Sequence, residues 1–456
     1  MHRHVRSVAA RLVVWVAIFA VPSGVLAQGV TGSAVTGTVT EEGGRPIEGA
    51  SLQLKNPATG DTFTAVTGSS GLYFFDNIPA GGPYIIEASA VGYPATTKED
   101  IVVTLGQRLR VDLSVRRFRE EIVVVGHRDQ LADQSRTGAS TTVKGSQIAK
   151  LPLQGRNFTD LVQTAPQVNG NNIGGQNSKF NNVQIDGIAN NDLFGLSATG
   201  TPGDTKPISV EAIQEFVVQV APFDVRQSSF VGGLVNAITK SGTNDFHGSL
   251  FSYYQNKLFA GFRDDPTFTQ YFTWQFGGVV SGPIIQDKVH FFIAADFQER
   301  KSAFGSRFQI SGDDAADRIR AGFTKADVQR FTDIMATKYN ITGQGDAFPL
   351  SLANPDRNVF VKVTTSVIPN SHLEVSYNFV NNSRDVLLRD PTSVFVPGRM
   401  RDGYQLSHSG YIITNSTNTG RVKLTSNWGD GKLSNEFLRA SHSSATSVSY
   451  RGQRPP

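Results

Sequence analysis

Over residues 289–299 the sequence reads as an extended segment with two faces. Val289, Phe291, Ile293, Ala295 and Phe297 fall on one face of an extended segment, and His290, Phe292, Ala294, Asp296 and Gln298 on the other. A period of two specifies a β-strand with unlike faces. The pattern returns at 359–367, where Val359, Val361, Val363 and Val367 oppose Lys362, Thr364 and Ser366. It returns again at 373–379, where Leu373, Val375, Tyr377 and Phe379 oppose Glu374, Ser376 and Asn378. Beyond the first 27 residues no stretch approaches the ~18 uninterrupted apolar residues of a membrane helix. The mature chain is therefore expected to be soluble or to cross a bilayer with strands, whose backbone is satisfied only by closing into a barrel.

Residues 245–456 favour the barrel. They hold 19 of the 30 Phe, along with Trp274 and Trp428, which fits the aromatic girdles of an outer-membrane barrel, the other reading being aromatic cross-strand pairs in a soluble sheet; apolar-out with polar-in is the barrel rule. Connections 282–288, 368–371 and 429–432 are short, while 301–356 and 384–410 are long. The first long one carries a helical pattern over 313–339 (Ile319, Phe323, Val328, Phe331, Ile334, Met335), read either as a substrate lid or as a solvated loop helix. About seven strands are legible, against about 22 in a plugged transporter barrel. The final Pro455-Pro456 cannot donate ladder hydrogen bonds. These features lead to the expectation of a truncated product or a fragment of a longer chain.

The first residues read as an export signal. His2, Arg3, His4, Arg6 and Arg11 form a basic flank, residues 12–21 are continuously apolar, and Val25-Leu26-Ala27 suits signal peptidase. Cleavage is expected between Ala27 and Gln28. The chain has no Cys, so its domains hold by packing and hydrogen bonding rather than disulfides. A net charge of +4 with dispersed Lys and Arg gives no basic stripe, and no nucleic-acid partner is expected.

Residues 32–115 show seven short apolar-alternating segments separated by Gly, Pro and Asn turns, the pattern of a β-sandwich. Gly37-Thr38-Val39, Gly44-x-Pro46-x-x-Gly49-Ala50, Gly71-x-Tyr73-x-Phe75, Gly82-x-Tyr84 and Gly92-Tyr93 resemble the carboxypeptidase regulatory-like, transthyretin-like domain. No His has Glu three positions later, so the paired ligands of a zinc carboxypeptidase are missing. The sandwich is read as non-catalytic, either a spacer or a partner-binding module.

Arg116-Arg117-Phe118-Arg119 leads into Glu120, Glu121, Ile122, Val123, Val124, Val125 and Gly126, which resemble a TonB box, with residues 116–127 as box and linker. Such a segment can add as a strand to a partner's sheet edge, and backbone hydrogen bonds then carry force. The other reading makes it a last sandwich strand.

Residues 128–243 resemble the plug of TonB-dependent receptors. Ser146 is a candidate N-cap ahead of a short helix, residues 157–162 are apolar at helical spacing, and residues 180–191 read as a strand with a tight Asp186-Gly187 turn. Residues 210–220 read as helix into strand. Gly232-Gly233-Leu234-Val235-Asn236-Ala237-Ile238-Thr239-Lys240-Ser241-Gly242 resembles the Oar-like receptors, which carry an N-terminal carboxypeptidase regulatory-like domain. Ala221-Pro222-Phe223-Asp224 stands where siderophore receptors have Arg-Gly-Pro, and this argues against a ferric-siderophore substrate. The run Gly170-Asn171-Asn172-Ile173-Gly174-Gly175 is either a surface loop or a loop facing the lumen.

The expected architecture is thus mainly β: a seven-stranded β-sandwich, an α+β plug, and the first strands of an incomplete antiparallel transmembrane β-barrel in residues 245–456. The resemblance implies a cell outer-membrane receptor that passes a large substrate (glycan, peptide or protein). Its partners would be the TonB C-terminal domain of the inner-membrane energy-coupling complex and outer-membrane lipid. No cofactor, metal or catalytic residue is expected, because nucleophile-elbow, phosphate-loop and thiol signatures are all missing. The alternative is a non-transporting binding or adhesion protein.

Overall fold

The computed structural model describes residues 31–115, 139–148, 150, 158–192, 199–202, 206–220, 231–261, 271–303, 313–315, 318, 323–345, 351–386, 406, 408, 410–429 and 433–450.

The sandwich has strands β1 (Gly32–Glu41), β2 (Ser51–Lys55), β3 (Thr62–Val66), β4 (Leu72–Pro79), β5 (Gly81–Ser89), β6 (Thr96–Val103), β7 (Arg108–Arg110) and β8 (Leu113–Val115). One sheet runs β4-β1-β7 with β8 also on β1, and the other runs β3-β2-β5-β6. Each strand turns alternate residues inward. In β2, Leu52 and Leu54 are buried while Ser51, Gln53 and Lys55 are exposed. The two inner faces share one core around Val35, Leu52, Phe63, Tyr73, Phe75, Tyr84 and Ile86, each large side chain contributing roughly 1.5–3 kcal/mol by burial.

The seventh expected strand is two. At Val111-Asp112 the chain shifts along β1, so β7 and β8 pair with different stretches of it, both in parallel. Three hydrogen bonds fix the shift. The Tyr73 hydroxyl donates to the Val111 carbonyl, and Asp112 Oδ1 accepts from the Thr38 amide at 2.9 Å and from its hydroxyl at 3.0 Å. Gly37 permits the close approach, since a Cβ there would lie 1.9 Å from the Val111 oxygen.

The plug has β9 (Ala139–Lys144), helices α1 (Gly145–Ile148) and α2 (Phe158–Val162), and strands β10 (Val168–Asn169), β11 (Asn172–Ile173), β12 (Asn182–Ile185), β13 (Ile188–Ala189), β14 (Ile213–Val220) and β15 (Gly233–Thr239). Its main sheet runs β13-β12-β15-β14-β9, with β12 parallel to β15. Every residue of β12 and β15 is buried, as expected of strands covered on both faces. Ser146 is not the cap of α1: it lies inside the helix, and the Gln147 side chain accepts from the Lys144 amide at 3.0 Å.

The third unit is an antiparallel sheet in the order β16-β17-β18-β20-β21-β22-β23, with a short β19 against β18. Its strands are β16 (His247–Asn256), β17 (Phe272–Ile285), β18 (Val289–Ala303), β19 (Ser351–Ala353), β20 (Asp356–Thr365), β21 (Ser371–Val386), β22 (Tyr411–Trp428) and β23 (Leu433–Tyr450). The seven long strands match the expected number. Their pairing follows the expected alternation: Ile293, Val375, Tyr377 and Val422 are exposed, whereas Asp296, Lys362, Glu374 and Arg421 are buried beneath the plug. Phe292, Ala294 and Phe360 also point inward and join the plug's core.

Some boundaries differ from expectation. The 282–288 turn is shorter, because β17 continues to Ile285 and absorbs Pro283 at a register shift, where a missing donor is tolerated. Strand 359–367 lies instead at Asp356–Thr365. The expected helical stretch 313–339 is interrupted: Asp314, Ala315 and Arg318 are helical, Phe323 and Thr324 are not, and helix α3 (Lys325–Tyr339) begins anew at the reciprocal capping box of Thr324 and Asp327 and ends at Asn340 with φ 53°. Among the described residues no helix is long and apolar enough to cross a membrane.

Candidate functional site

The residues expected to bind TonB, Glu120 to Gly126, and the cleavage pair Ala27 and Gln28 lie outside the described residues. The structure instead draws attention to the contact between plug and wall.

At the tip of the β12–β13 hairpin, Asp186 (φ 48°) and Gly187 (φ 79°) both have positive φ. This is the conformation of a type I′ turn, for which Asp-Gly is suited. The turn carries the Asp186 carboxylate into the wall. Within the plug, Oδ1 accepts from the Thr239 amide of β15 at 2.9 Å and Oδ2 from the Thr239 hydroxyl at 2.6 Å. Oδ2 also lies 3.7 Å from Lys362 Nζ and 3.8 Å from Arg421 Nη1. Glu374 closes the group: its Oε2 is 2.8 Å from Arg421 Nη1 and 3.4 Å from Lys362 Nζ. Lys362 further donates to the Thr239 hydroxyl at 3.1 Å. The four charged residues are each no more than 7% exposed, a degree of burial that charge tolerates only when paired. Burial pushes the Asp186 carboxyl upward, but the charges of Lys362 and Arg421 outweigh it and hold the group below its ordinary value.

A second buried group has the opposite polarity. Lys206 of the plug places Nζ 3.1 Å from Asp296 Oδ1 of the wall. Gln275 Nε2 donates to both oxygens of Asp296 at 3.0 and 2.9 Å, and the Ser209 hydroxyl donates to Oδ2 at 3.2 Å. The Lys206 amide donates to Asp356 Oδ2 at 3.0 Å, and Asn378 Nδ2 donates to the Pro207 carbonyl at 2.9 Å. On β18, Phe292 is the ladder partner of Lys362, and Asp296 lies four residues further along. At ~3.3 Å per residue the two groups are about 13 Å apart along the strands. The two groups fasten the plug to the wall at two points. Among the described residues no cluster of His, Cys, Asp and Glu is placed to hold a metal ion.

Sequence reasoning placed Lys362 and Glu374 on the inward face and Asp186 in a turn, yet did not bring them together. The only advance signal was a set of charged residues on faces that would otherwise contact a packed interior. The Gly170–Gly175 run holds the β10–β11 hairpin, where Ile173 is buried in the plug core, so that part is structural rather than free loop.

Comparison with known proteins agrees with this architecture. Residues 34–116 match the carboxypeptidase regulatory-like domain, and residues 238–443 match the outer membrane beta barrel domain. The TonB-dependent transporter Oar of Myxococcus xanthus is 26% identical over 284 residues, covering 57% of this chain and 26% of that protein. The probable TonB-dependent siderophore receptor PirA of Acinetobacter baumannii is 24% identical over 293 residues, covering 60% of this chain and 35% of that protein. A crystal structure of PirA from Acinetobacter baumannii aligns with 69% of this chain and 40% of its own, at 16% identity and a TM-score of 0.45. The chain thus spans about a quarter to a third of the length of these curated relatives. Receptors of this kind are not enzymes. With a carboxypeptidase regulatory-like domain ahead of an outer membrane beta barrel domain, the chain is a homologue of the TonB-dependent receptors, Oar among them, and its place is the outer membrane.

Proposed function

We propose that the chain is part of an energy-coupled transporter in which the plug obstructs a barrel lumen and TonB withdraws the obstruction. The observation that carries this reading is the seating of the plug. A five-stranded sheet is fastened to the polar face of an amphipathic wall by buried ion pairs. Such pairs contribute little net stability compared with apolar packing, but they specify one arrangement and can be exchanged for water when force is applied.

In this reading residues 1–27 are an export signal cut between Ala27 and Gln28, 32–115 the sandwich, 116–127 the TonB box and linker, 128–243 the plug, and 245–456 barrel wall. Glu120 to Gly126 would pair as a strand with the TonB C-terminal domain. The cargo is read as large (a glycan, peptide or protein), on the resemblance to Oar and on the departure at Ala221 to Asp224 from the siderophore-receptor motif. The test is crosslinking in intact cells. Ile122→Cys and Val124→Cys are each expected to crosslink to a single Cys in the TonB C-terminal domain, and Ile122→Pro to lose the contact, since Pro removes a donor and fixes φ. Absence of both crosslinks would sink the reading.

A further inference from the structure

The sandwich does not hang free of the other two units. Its β2–β3 loop lies against the wall at the tight turns. The Asn244 amide donates to the Ala58 carbonyl at 2.7 Å, and Asp61 Oδ1 is 3.2 Å from His372 Nδ1. The β4 end reaches the last hairpin, where Asn427 Nδ2 donates to the Asp76 carbonyl at 3.3 Å and Asn77 Nδ2 to the Ser434 hydroxyl at 2.8 Å. At the start of β1, the Thr31 hydroxyl donates to Glu436 Oε1 at 2.8 Å, and Lys423 Nζ donates to the Thr31 carbonyl at 3.2 Å. His372, Asn427, Ser434 and Glu436 lie at or near the ends of β21, β22 and β23 that meet short connections, the periplasmic side by the barrel rule.

The sandwich also touches the plug. The Leu105 amide donates to Glu215 Oε1 at 2.6 Å and Gln214 Nε2 to the Ala80 carbonyl at 3.1 Å. Among the described residues a small apolar cluster of Leu105, Val217 and Ile238, with Ala80 against it, also joins the two. Between sandwich, plug and wall lies a cavity of about 450 Å³, with Tyr84 and Ala80 on the sandwich side and Lys240, Ile238 and Gln214 on the plug side. A seam made of polar pairs around a small apolar patch is the kind that opens reversibly, whereas a large hydrophobic interface would fix the domains.

The geometry points to a second closure: the sandwich is a releasable stopper seated over the periplasmic mouth of the plug–wall contact, and it must leave that seat before anything passes the plug. This rests on the transport reading above. It adds that energy coupling acts on two bodies, because the chain between Val115 of β8 and Ala139 of β9 joins sandwich to plug.

The chain has no native Cys, so Asn77→Cys with Ser434→Cys gives a clean pair for a short bismaleimide in intact outer membranes. Asn77 has φ 53°, which Asn tolerates better than Cys, so Thr31→Cys with Glu436→Cys serves as a second pair. High crosslink yield is expected in cells lacking TonB, falling several-fold in energised cells that contain it. No crosslink from either pair overturns the seat, and equal yields in the two cell types overturn its release. If Ile122→Cys still reaches TonB while the seam yield stays constant, the stopper fails and the transport reading stands. If Ile122→Cys fails as well, the fault lies with the transport reading.

Discussion

Asp186→Ala should loosen the plug by about 3 kcal/mol, the low end of the range for removing one member of a buried ion pair. The two attractions it forfeits, at 3.7 and 3.8 Å, are each worth about 4 kcal/mol gross at an effective dielectric of about 20. Several kcal/mol return because a buried carboxylate no longer has to be desolvated, and Glu374 remains to neutralise one of the two cations. Against that return, the Thr239 amide and hydroxyl lose their acceptor, costing roughly 1–3 kcal/mol, and Ala at φ 48° costs about 1 kcal/mol more. A net loss of about 3 kcal/mol raises the open population roughly 150-fold. Asp186→Asn keeps an acceptor and tolerates the turn, so it should lie about midway. Native-state hydrogen exchange along β15 reads this: the amides of Val235 to Ala237, away from the Thr239 amide that bonds Asp186 directly, should exchange faster in the order parent, Asn, Ala. If the Ala variant protects those amides as well as the parent does, the ion group does not hold the plug. If Asn and Ala are equally labile, the turn and hydrogen bonds have been given too little weight.

Two further predictions concern the sandwich. Gly37→Ala puts a Cβ 1.9 Å from the Val111 carbonyl oxygen and 2.8 Å from the Tyr73 hydroxyl; backbone cannot yield that far, so a loss of about 3 kcal/mol is expected, read as a lower urea midpoint by pulse proteolysis of the full chain, and an unchanged midpoint would refute the account of the β7–β8 shift. Asp61 gives a pH signature at the seam: burial pushes its carboxyl upward, but the His372 charge and hydrogen bonds from His372, Thr59 and Ser366 hold it below the ordinary value, with His290 and Tyr84 also within its field. A depressed carboxyl contributes fully above its free value of ~3.9 and loses that contribution as pH falls through the lowered one, so the distance between spin labels attached at 77 and 434 should lengthen as pH falls below about 5 and lengthen less in Asp61→Asn; identical profiles would remove Asp61 from the seam.

What the sequence disclosed and what it hid divide along sequence distance. Local rules were legible: the alternation of β18, β20 and β21, the Asp186-Gly187 turn, and the tight connections of the wall. The helical pattern over 313–339 was legible too, but the interruption at Phe323-Thr324, where a capping box starts a new helix, was not read from it. Features that depend on contact between distant residues were not legible. The break at Val111-Asp112 exists because Tyr73 and Thr38 bond to it from other strands. Asp61 and His372 are 311 residues apart. Seven short segments therefore became eight strands, and a set of inward polar residues became two ion groups, once partners outside any local window were in place.

The inward charges also answer a question that the alternation leaves open. A polar-in rule is satisfied by any polar residue, including Ser and Thr, and it says nothing about register. The two groups are more demanding. The plug offers an anion, Asp186, to the cations of β20 and β22, and about 13 Å along the strands it offers a cation, Lys206, to the anion of β18. Inverting or sliding the plug sets like charges together in a buried contact. Slipping β20 by one residue turns Lys362 outward and brings Val361 or Val363 against Asp186, since side chains alternate with every step. Wall register and plug orientation are thus fixed by the same few charges. That favours ion pairs here over the apolar contacts that would give more net stability: a plug that must come loose and return to one position needs a seat that rejects the wrong fit more than it needs a tight one.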